Sequence, residues 1–147
     1  VMVDGPQGLE SSVPALVAVT TPSLAIVRLH GRRVATWEAA NIATVERYRY
    51  LYDAAEVGEW VPKVIEAAET AEKTVVLLNN CYGNYGAANA WEVVADACEA
   101  LERWDQVRAA AGRMLELYAE DRWRRYWVLA HRARASLRLG DLVDLPA

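Results

Sequence analysis

The stretch Thr74-Val75-Val76-Leu77-Leu78-Asn79 decides the fold of this 147-residue chain. Its four consecutive apolar residues put apolar side chains on both faces of a strand, which is typical of parallel sheets covered by helices. Helical patterns precede and follow it. The alternation of strand and helix predicts an α/β fold.

Two more strands are predicted upstream. Ala25–His30 is rich in β-forming residues and stops at Gly31, and Val1–Asp4 runs into Gly5 and a proline. A helix starts at Asp53, because Asp53 and Glu56 have the spacing of a capping box. The apolar stripe expected on this helix is Val57, Trp60, Val61, Val64, Ile65 and Ala68.

After residue 102 the pattern becomes helical throughout. One predicted face carries Trp104, Val107, Ala111, Leu115 and Tyr118, and the next carries Trp123, Tyr126, Ala130, Ala133 and Leu137. Residues 121–138 also hold six arginines. A helix that mixes arginines with aromatic residues can bind nucleic acid or an anionic membrane, but the arginines of this helix spread around its whole polar side. That spread favours a docked amphipathic helix with a solvated arginine face.

Composition excludes several classes of function. A net charge of −4 argues against nucleic-acid binding, which needs a basic surface. No apolar run reaches the roughly 18 residues of a membrane span. Cys81 and Cys98 form no CxxC pair and read as free thiols of a cytoplasmic protein. No metal-ligand spacing or cofactor motif is present, so neither a metal nor a cofactor is expected.

Polar residues end all three predicted strands. They are Asp4, then Arg28 and His30, then Asn79 and Asn80. Ligands of parallel sheets bind beyond these carboxyl ends. Alternation puts Arg28 and His30 on the face opposite the helix-packed one, where Arg28 needs either a partner or an anionic ligand. Asp4 on the neighbouring strand is the expected partner of Arg28.

These residues predict a site for an anionic small molecule. Arg28 and Arg32 would hold the anion, His30 would act as acid or base, and Asp4 would orient Arg28 or His30. Two alternatives stay open: Arg28 forms a structural ion pair with Asp4, and His30 is an ordinary core residue. Asn79 and Asn80 either bind the ligand or brace their loop.

The ordered runs Val3-Asp4-Gly5-Pro6-Gln7-Gly8, Val27-Arg28-Leu29-His30-Gly31-Arg32 and Tyr48-Arg49-Tyr50-Leu51-Tyr52, with Leu78-Asn79-Asn80, resemble the C-terminal part of the YecE-like family, domain of unknown function 72. The resemblance covers roughly residues 1–101. It implies a TIM-like (β/α) barrel without an established activity. The family's motif positions would be Asp4, Arg28, His30, Arg32, Tyr50, Tyr52, Asn79 and Asn80. The chain departs from the family at Arg33, usually asparagine, and at Arg49, usually aspartate.

A full barrel takes about 250 residues and eight strands. Three predicted strands therefore indicate part of a barrel over residues 1–101, followed by a helical extension over residues 102–147. The non-methionine start predicts a fragment of a longer protein. The alternative is a non-catalytic remnant or an interaction module that uses its C-terminal helices. Exposed strand edges would favour self-association.

Overall fold

The computed structural model describes residues 1–118 and 120–140, without the side chains of Arg122, Trp123, Tyr126 and Trp127. The predictions for Trp123 and Tyr126 therefore lie outside the described residues. The elements are β1 (Met2–Asp4), β2 (Ala25–Leu29), α1 (Val34–Trp37), α2 (Thr44–Arg47), α3 (Ala54–Thr70), β3 (Thr74–Leu78), α4 (Tyr85–Ala100), α5 (Trp104–Leu117) and α6 (Arg122–Leu139).

The three strands form one parallel sheet in the order β1-β2-β3. Met2 pairs with Val27 and Asp4 with Leu29, while Arg28 pairs with Leu77 of β3. The predicted α/β fold with three parallel strands is confirmed, and each strand lies within one or two residues of its expected bounds.

The two faces of the sheet differ in burial. Ala25, Val27 and Leu29 of β2 are buried, whereas Ile26 and Arg28 are half-buried. Because paired residues of parallel strands point to the same side, Asp4 belongs to the buried face and Arg28 to the other. We call the face that carries Arg28 the open face. It also carries Leu77, whose exposed fraction is 43%.

Helix α3 covers the buried face. Its predicted capping box is present: Asp53 accepts from the Glu56 N–H, and Glu56 accepts from the Asp53 N–H. Val57, Trp60, Val61 and Val64 are buried as expected. The last turn differs, because Ala67 is buried and the predicted Ala68 is exposed.

The segment between β2 and α3 contains two one-turn helices, α1 and α2. It carries Trp37 and Tyr48 at the carboxyl ends of the strands. A Cβ atom built on Gly5 would lie 3.9 Å from Trp37 Cζ2, an ordinary van der Waals distance, so the indole ring lies against the chain at the end of β1.

The chain divides into two compact units, Val1–Ala90 and Trp91–Ala147. The domain boundary expected at residue 101 stays a prediction. In the second unit, Cys98, Val107 and Ala135 form a small core with Trp104 packed against it. No helix in the described ranges is long and apolar enough to cross a membrane.

Helix α6 buries a different face from the expected one. Among the side chains of α6 that the structure describes, Val128, His131, Ala135 and Ser136 are buried, whereas the predicted Ala130 and Leu137 are exposed. The physical reason is that two polar residues occupy the buried stripe, which a search for apolar periodicity does not find.

Candidate functional site

Asp4 is the centre of a buried polar network at the carboxyl end of β1. Its side chain is 2% exposed. Both carboxylate oxygens accept from Arg32 Nε, at 3.1 and 3.0 Å, and Oδ2 also accepts from the Tyr52 hydroxyl. The Tyr52 oxygen in turn accepts from the Gly31 N–H at 2.7 Å. These bonds satisfy a buried charge that would otherwise be costly.

The first turns of α3 supply two more carboxylates to Arg32. Glu59 Oε2 accepts from Arg32 Nη2 at 2.8 Å, and Glu56 Oε1 lies 3.6 Å from Nη1. Burial alone would lower the pKa of Arg32, but the bonds to Asp4 and Glu59 raise it well above its ordinary value. A guanidinium that already faces three carboxylates has little capacity left for an anionic ligand.

Two buried amides brace the tyrosine segment behind this network. Asn80 Nδ2 donates to the Tyr50 carbonyl and to Asn89 Oδ1. Asn89 bonds both the N–H and the carbonyl of Tyr52. Asn80, Asn89 and Tyr52 have no exposed surface. In this conformation they position the strand ends and present no surface to a ligand.

Arg28 lies on the open face and does not contact Asp4. The expected Arg28–Asp4 pair is wrong, because Asp4 aligns with Leu29 and so faces the opposite side of the sheet. Arg28 Nε instead donates to Asn79 Oδ1 at 3.3 Å. Within the described part of the chain, no carboxylate forms an ion pair with Arg28. A half-buried cation with one neutral partner is suited to receive an anion.

His30 follows Arg28 on the open face. Burial lowers the pKa of His30, and the positive charge of Arg28 lowers it further against a smaller opposing effect of Asp4. The imidazole is therefore neutral at pH 7. Its Nδ1 atom is buried and has no hydrogen-bond partner among the described residues.

Two aromatic rings surround His30. The His30 ring centroid lies 5.9 Å from that of Trp37 and 6.0 Å from that of Tyr48. The Trp37 and Tyr48 rings meet edge to face at 6.0 Å. All three side chains are half-buried, so each ring keeps some exposed surface. The open face thus carries a cation, a neutral imidazole and aromatic surface side by side.

The loop after β3 passes close to α4 through Gly86. A Cβ atom at this position would lie 3.4 Å from both Leu78 O and Asn80 Oδ1. Beside this contact is an open groove of about 470 Å³, lined by Val76, Leu77, Leu78, Cys81, Gly83, Gly86, Ala87 and Ala90. Neither Arg28 nor His30 lines the groove, and the side chains that do are small or apolar.

The second unit has its own buried polar cluster. Glu92 is 2% exposed and accepts from the Tyr118 hydroxyl and from Arg124 Nη1, the latter at 2.8 Å. Burial raises the pKa of Tyr118, and the Glu92 charge adds to the effect. The buried charge of Glu92 is therefore paired and hydrogen-bonded.

His131 lies between two further carboxylates of α4. Its Nδ1 atom is 2.6 Å from Glu99 Oε2, and its Nε2 atom is 3.6 Å from Asp96 Oδ1. Burial, with Glu99 and Glu92, raises the pKa of Asp96 to about 7. Burial lowers the pKa of His131. The three α4 carboxylates thus share one stripe that faces the basic residues of α6.

No group of His, Cys, Asp or Glu within the ranges 1–118 and 120–140 has the arrangement of a metal site. Cys81 is an exposed free thiol and Cys98 a buried one.

The structure separates the predicted site residues into two groups. Arg28, His30 and Asn79 lie together on the open face, whereas Asp4, Arg32 and Tyr52 belong to the buried network, braced by Asn80. Tyr50 is half-buried beside this network: its hydroxyl donates to Glu56, and its ring meets that of Tyr52 edge to face. The run Glu59-Trp60 is also part of the family resemblance, but sequence reasoning gave Glu59 no role in the site, although it lies three residues after Glu56 and so on the same face of α3. It also missed Trp37, for which the sequence gives no signal.

Comparison with known proteins gives one family. The family model described as "Protein of unknown function DUF72" matches residues 1–120 of this chain. The UPF0759 protein YunF of Bacillus subtilis (strain 168) is 30% identical over 94 residues, which are 62% of this chain and 33% of that protein.

Two solved structures are similar as well. A DUF72 family protein from Enterococcus faecalis V583 is 33% identical with a TM-score of 0.59, over 65% of this chain and 35% of that one. Another from Thermotoga maritima MSB8 is 33% identical with a TM-score of 0.56, over 69% and 35%. The chain thus spans about a third of the length of these relatives, and the part of it that matches them has the TIM-barrel-like α/β fold of this family.

Proposed function

This chain belongs to the DUF72 family of proteins of unknown function, and we propose that it binds an anionic small molecule at the carboxyl ends of β2 and β3. The observation that carries the proposal is the environment of Arg28. Its guanidinium is half-buried on the open face and bonded only to the neutral Asn79 side chain among the described residues. Charged hydrogen bonds to an anion would complete its coordination.

The proposed roles differ from those expected from the sequence. Arg28 and Asn79 hold the anion, and neutral His30 is the group beside it that exchanges or shares a proton. Arg32 is left out of the anion contacts, because Asp4 and Glu59 occupy its donors. The buried network around Asp4 positions the strand ends and does not touch the ligand.

Isothermal titration of the full chain with inorganic phosphate and with phosphorylated small molecules tests the proposal. We expect binding that weakens at least about tenfold in Arg28→Gln, since a hydrogen bond to a charged group contributes about 1.5–3 kcal/mol. Arg49→Gln is the matched control, because it removes the same charge from an exposed arginine that contacts Glu46 and Tyr82. Equal affinity of the wild type and both variants, or no binding at all, would overturn the proposal.

A second candidate function is self-association, which the edge of β3 favours. Within the described residues β3 pairs only with β2, and Leu77 is 43% exposed beside the apolar groove. An edge of this kind favours strand addition from a second copy. Sedimentation equilibrium tests it: we expect a concentration-dependent dimer that Leu77→Lys weakens, and a monomer at all concentrations would refute it.

A cytoplasmic location is proposed with these functions. Its support is chemical: Cys81 and Cys98 are both free thiols, which persist in a reducing compartment. Fractionation of cells that produce the tagged chain would show it with the cytoplasmic proteins. Recovery of the chain mainly outside that fraction would contradict the proposal.

A further inference from the structure

We infer that the ligand of this site carries a planar ring as well as an anionic group, an inference that rests on the proposed function of Arg28. The ligand class is an aromatic phosphate or carboxylate, with the anion on Arg28 and the ring against Trp37 and Tyr48.

The first support is the position of the rings. Trp37 belongs to α1 and Tyr48 directly follows α2, so both come from the segment inserted at the carboxyl end of β2. The Trp37 ring lies within van der Waals distance of Gly5, at the end of β1. The two rings meet edge to face and both remain half-buried, which leaves aromatic surface at the rim of the proposed site.

The second support is His30, which connects the two halves of the site. Its ring contacts Trp37 and Tyr48, with centroids about 6 Å apart. The charge of Arg28 acts on the same imidazole. One small molecule can therefore reach the guanidinium and the aromatic surface at once, with His30 alongside it.

The third support is the electrical character of the rings. A neutral imidazole adds no charge to the aromatic surface, so the three rings that contact one another here, those of His30, Trp37 and Tyr48, are uncharged. Offset or edge-to-face contact between aromatic rings contributes enough free energy for about a tenfold difference in Kd. Inorganic phosphate can use the arginine alone, whereas an aromatic phosphate can use both parts.

The test compares inorganic phosphate, cyclohexyl phosphate and phenyl phosphate by isothermal titration with the full chain. Phenyl phosphate should bind about tenfold more tightly than the other two. Trp37→Leu should remove this advantage and leave phosphate binding unchanged. Tyr82→Leu is the matched control, since it removes another half-buried ring that contacts Tyr85 and Arg49 instead of His30.

The outcomes separate the inference from the proposed function. If all three phosphates bind with equal affinity and all depend on Arg28, the ring inference is wrong and the anion site stands. If phenyl phosphate is preferred equally in Trp37→Leu, the ring contact lies elsewhere and the inference is also wrong. If none of them binds in a manner that depends on Arg28, the proposed function itself fails.

Discussion

Asp4→Asn should destabilise the first unit strongly, because it removes the charge on which the buried network depends. The side chain keeps its size, but the carboxylate that accepts from Arg32 and Tyr52 becomes an amide. Arg32 would then keep Glu59, which is 56% exposed, and Glu56 at 3.6 Å.

The magnitude follows from the burial of the two partners. Removing one partner of a buried ion pair costs about 3–5 kcal/mol. Arg32 is 24% exposed, so water relieves part of its loss, and the lower end of about 3 kcal/mol applies. Stabilities of whole domains are only about 5–15 kcal/mol, so this is a large share.

Urea unfolding followed by circular dichroism gives the first measurement. With a slope of about 2 kcal/mol/M, the midpoint should fall by about 1.5 M. Because the chain has two compact units, hydrogen exchange should resolve which of them is affected. The amides of His30, which bonds Asp4 O, and Asn79, which bonds Leu29 O, should lose protection.

Glu59→Gln is the control for this prediction. It removes a carboxylate from the same guanidinium, but at an exposed position, where an ion pair contributes less than about 1 kcal/mol. If Asp4→Asn costs no more than Glu59→Gln, the buried carboxylate does not hold the strand ends together and the reasoning is refuted.

Three further predictions have definite expected results. Gly31→Ala should lower the free energy of unfolding in urea by about 3 kcal/mol, since φ of Gly31 is +89° and the new methyl group would lie 2.6 Å from Tyr50 Cβ. Gly58→Ala is the control: its methyl group would enter open space on α3, so it should raise the free energy of unfolding by about 0.5–1 kcal/mol. Tyr52→Phe should cost about 2 kcal/mol, because Asp4 and the Gly31 N–H each lose a buried bond; an unchanged midpoint would contradict this. Asp96 has a pKa raised above its unfolded value, to about 7, so its stabilising effect is lost as pH rises through that value. The urea midpoint of the wild type should thus fall, relative to that of Asp96→Asn, as pH rises from about 4, near the unfolded pKa, to about 7, and the difference should stay constant above that.

Local chemistry made most of the fold of the first unit predictable. The capping box of Asp53 and Glu56 needs only neighbouring residues, and the strand around Val76 is recognisable from four apolar side chains. Each of these signals acts within one element. The capping box and the apolar strand can therefore be recognised without knowing how the helices and strands pack together.

The helix α6 shows where periodicity fails. His131 and Ser136 are buried, whereas Leu137 is 67% exposed. The described buried stripe combines the apolar Val128 and Ala135 with His131, which pairs with Glu99 of α4. Polar residues that are buried with a partner are invisible to an apolar pattern, because the partner lies about thirty residues away in the sequence.

Strand register explains why the candidate site was only partly predictable. Arg28 and Arg32 look equivalent in sequence, since both lie at the end of one strand and both could pair with Asp4. The register aligns Asp4 with Leu29, and this single fact puts Asp4 on the buried face and Arg28 on the open one. Arg32, beyond the strand and free of its alternation, can reach Asp4.

This division of the two arginines also gives the site its charge. Had β1 paired one residue further along, Asp4 would share the face of Arg28, and the two would neutralise each other. In the observed register the Asp4 carboxylate accepts a hydrogen bond from Arg32 on the buried side, and Arg32 also donates to Glu59. The open face is left with a guanidinium and no opposing carboxylate among the described residues. The same register that stabilises the strand ends therefore leaves Arg28 available to an anion.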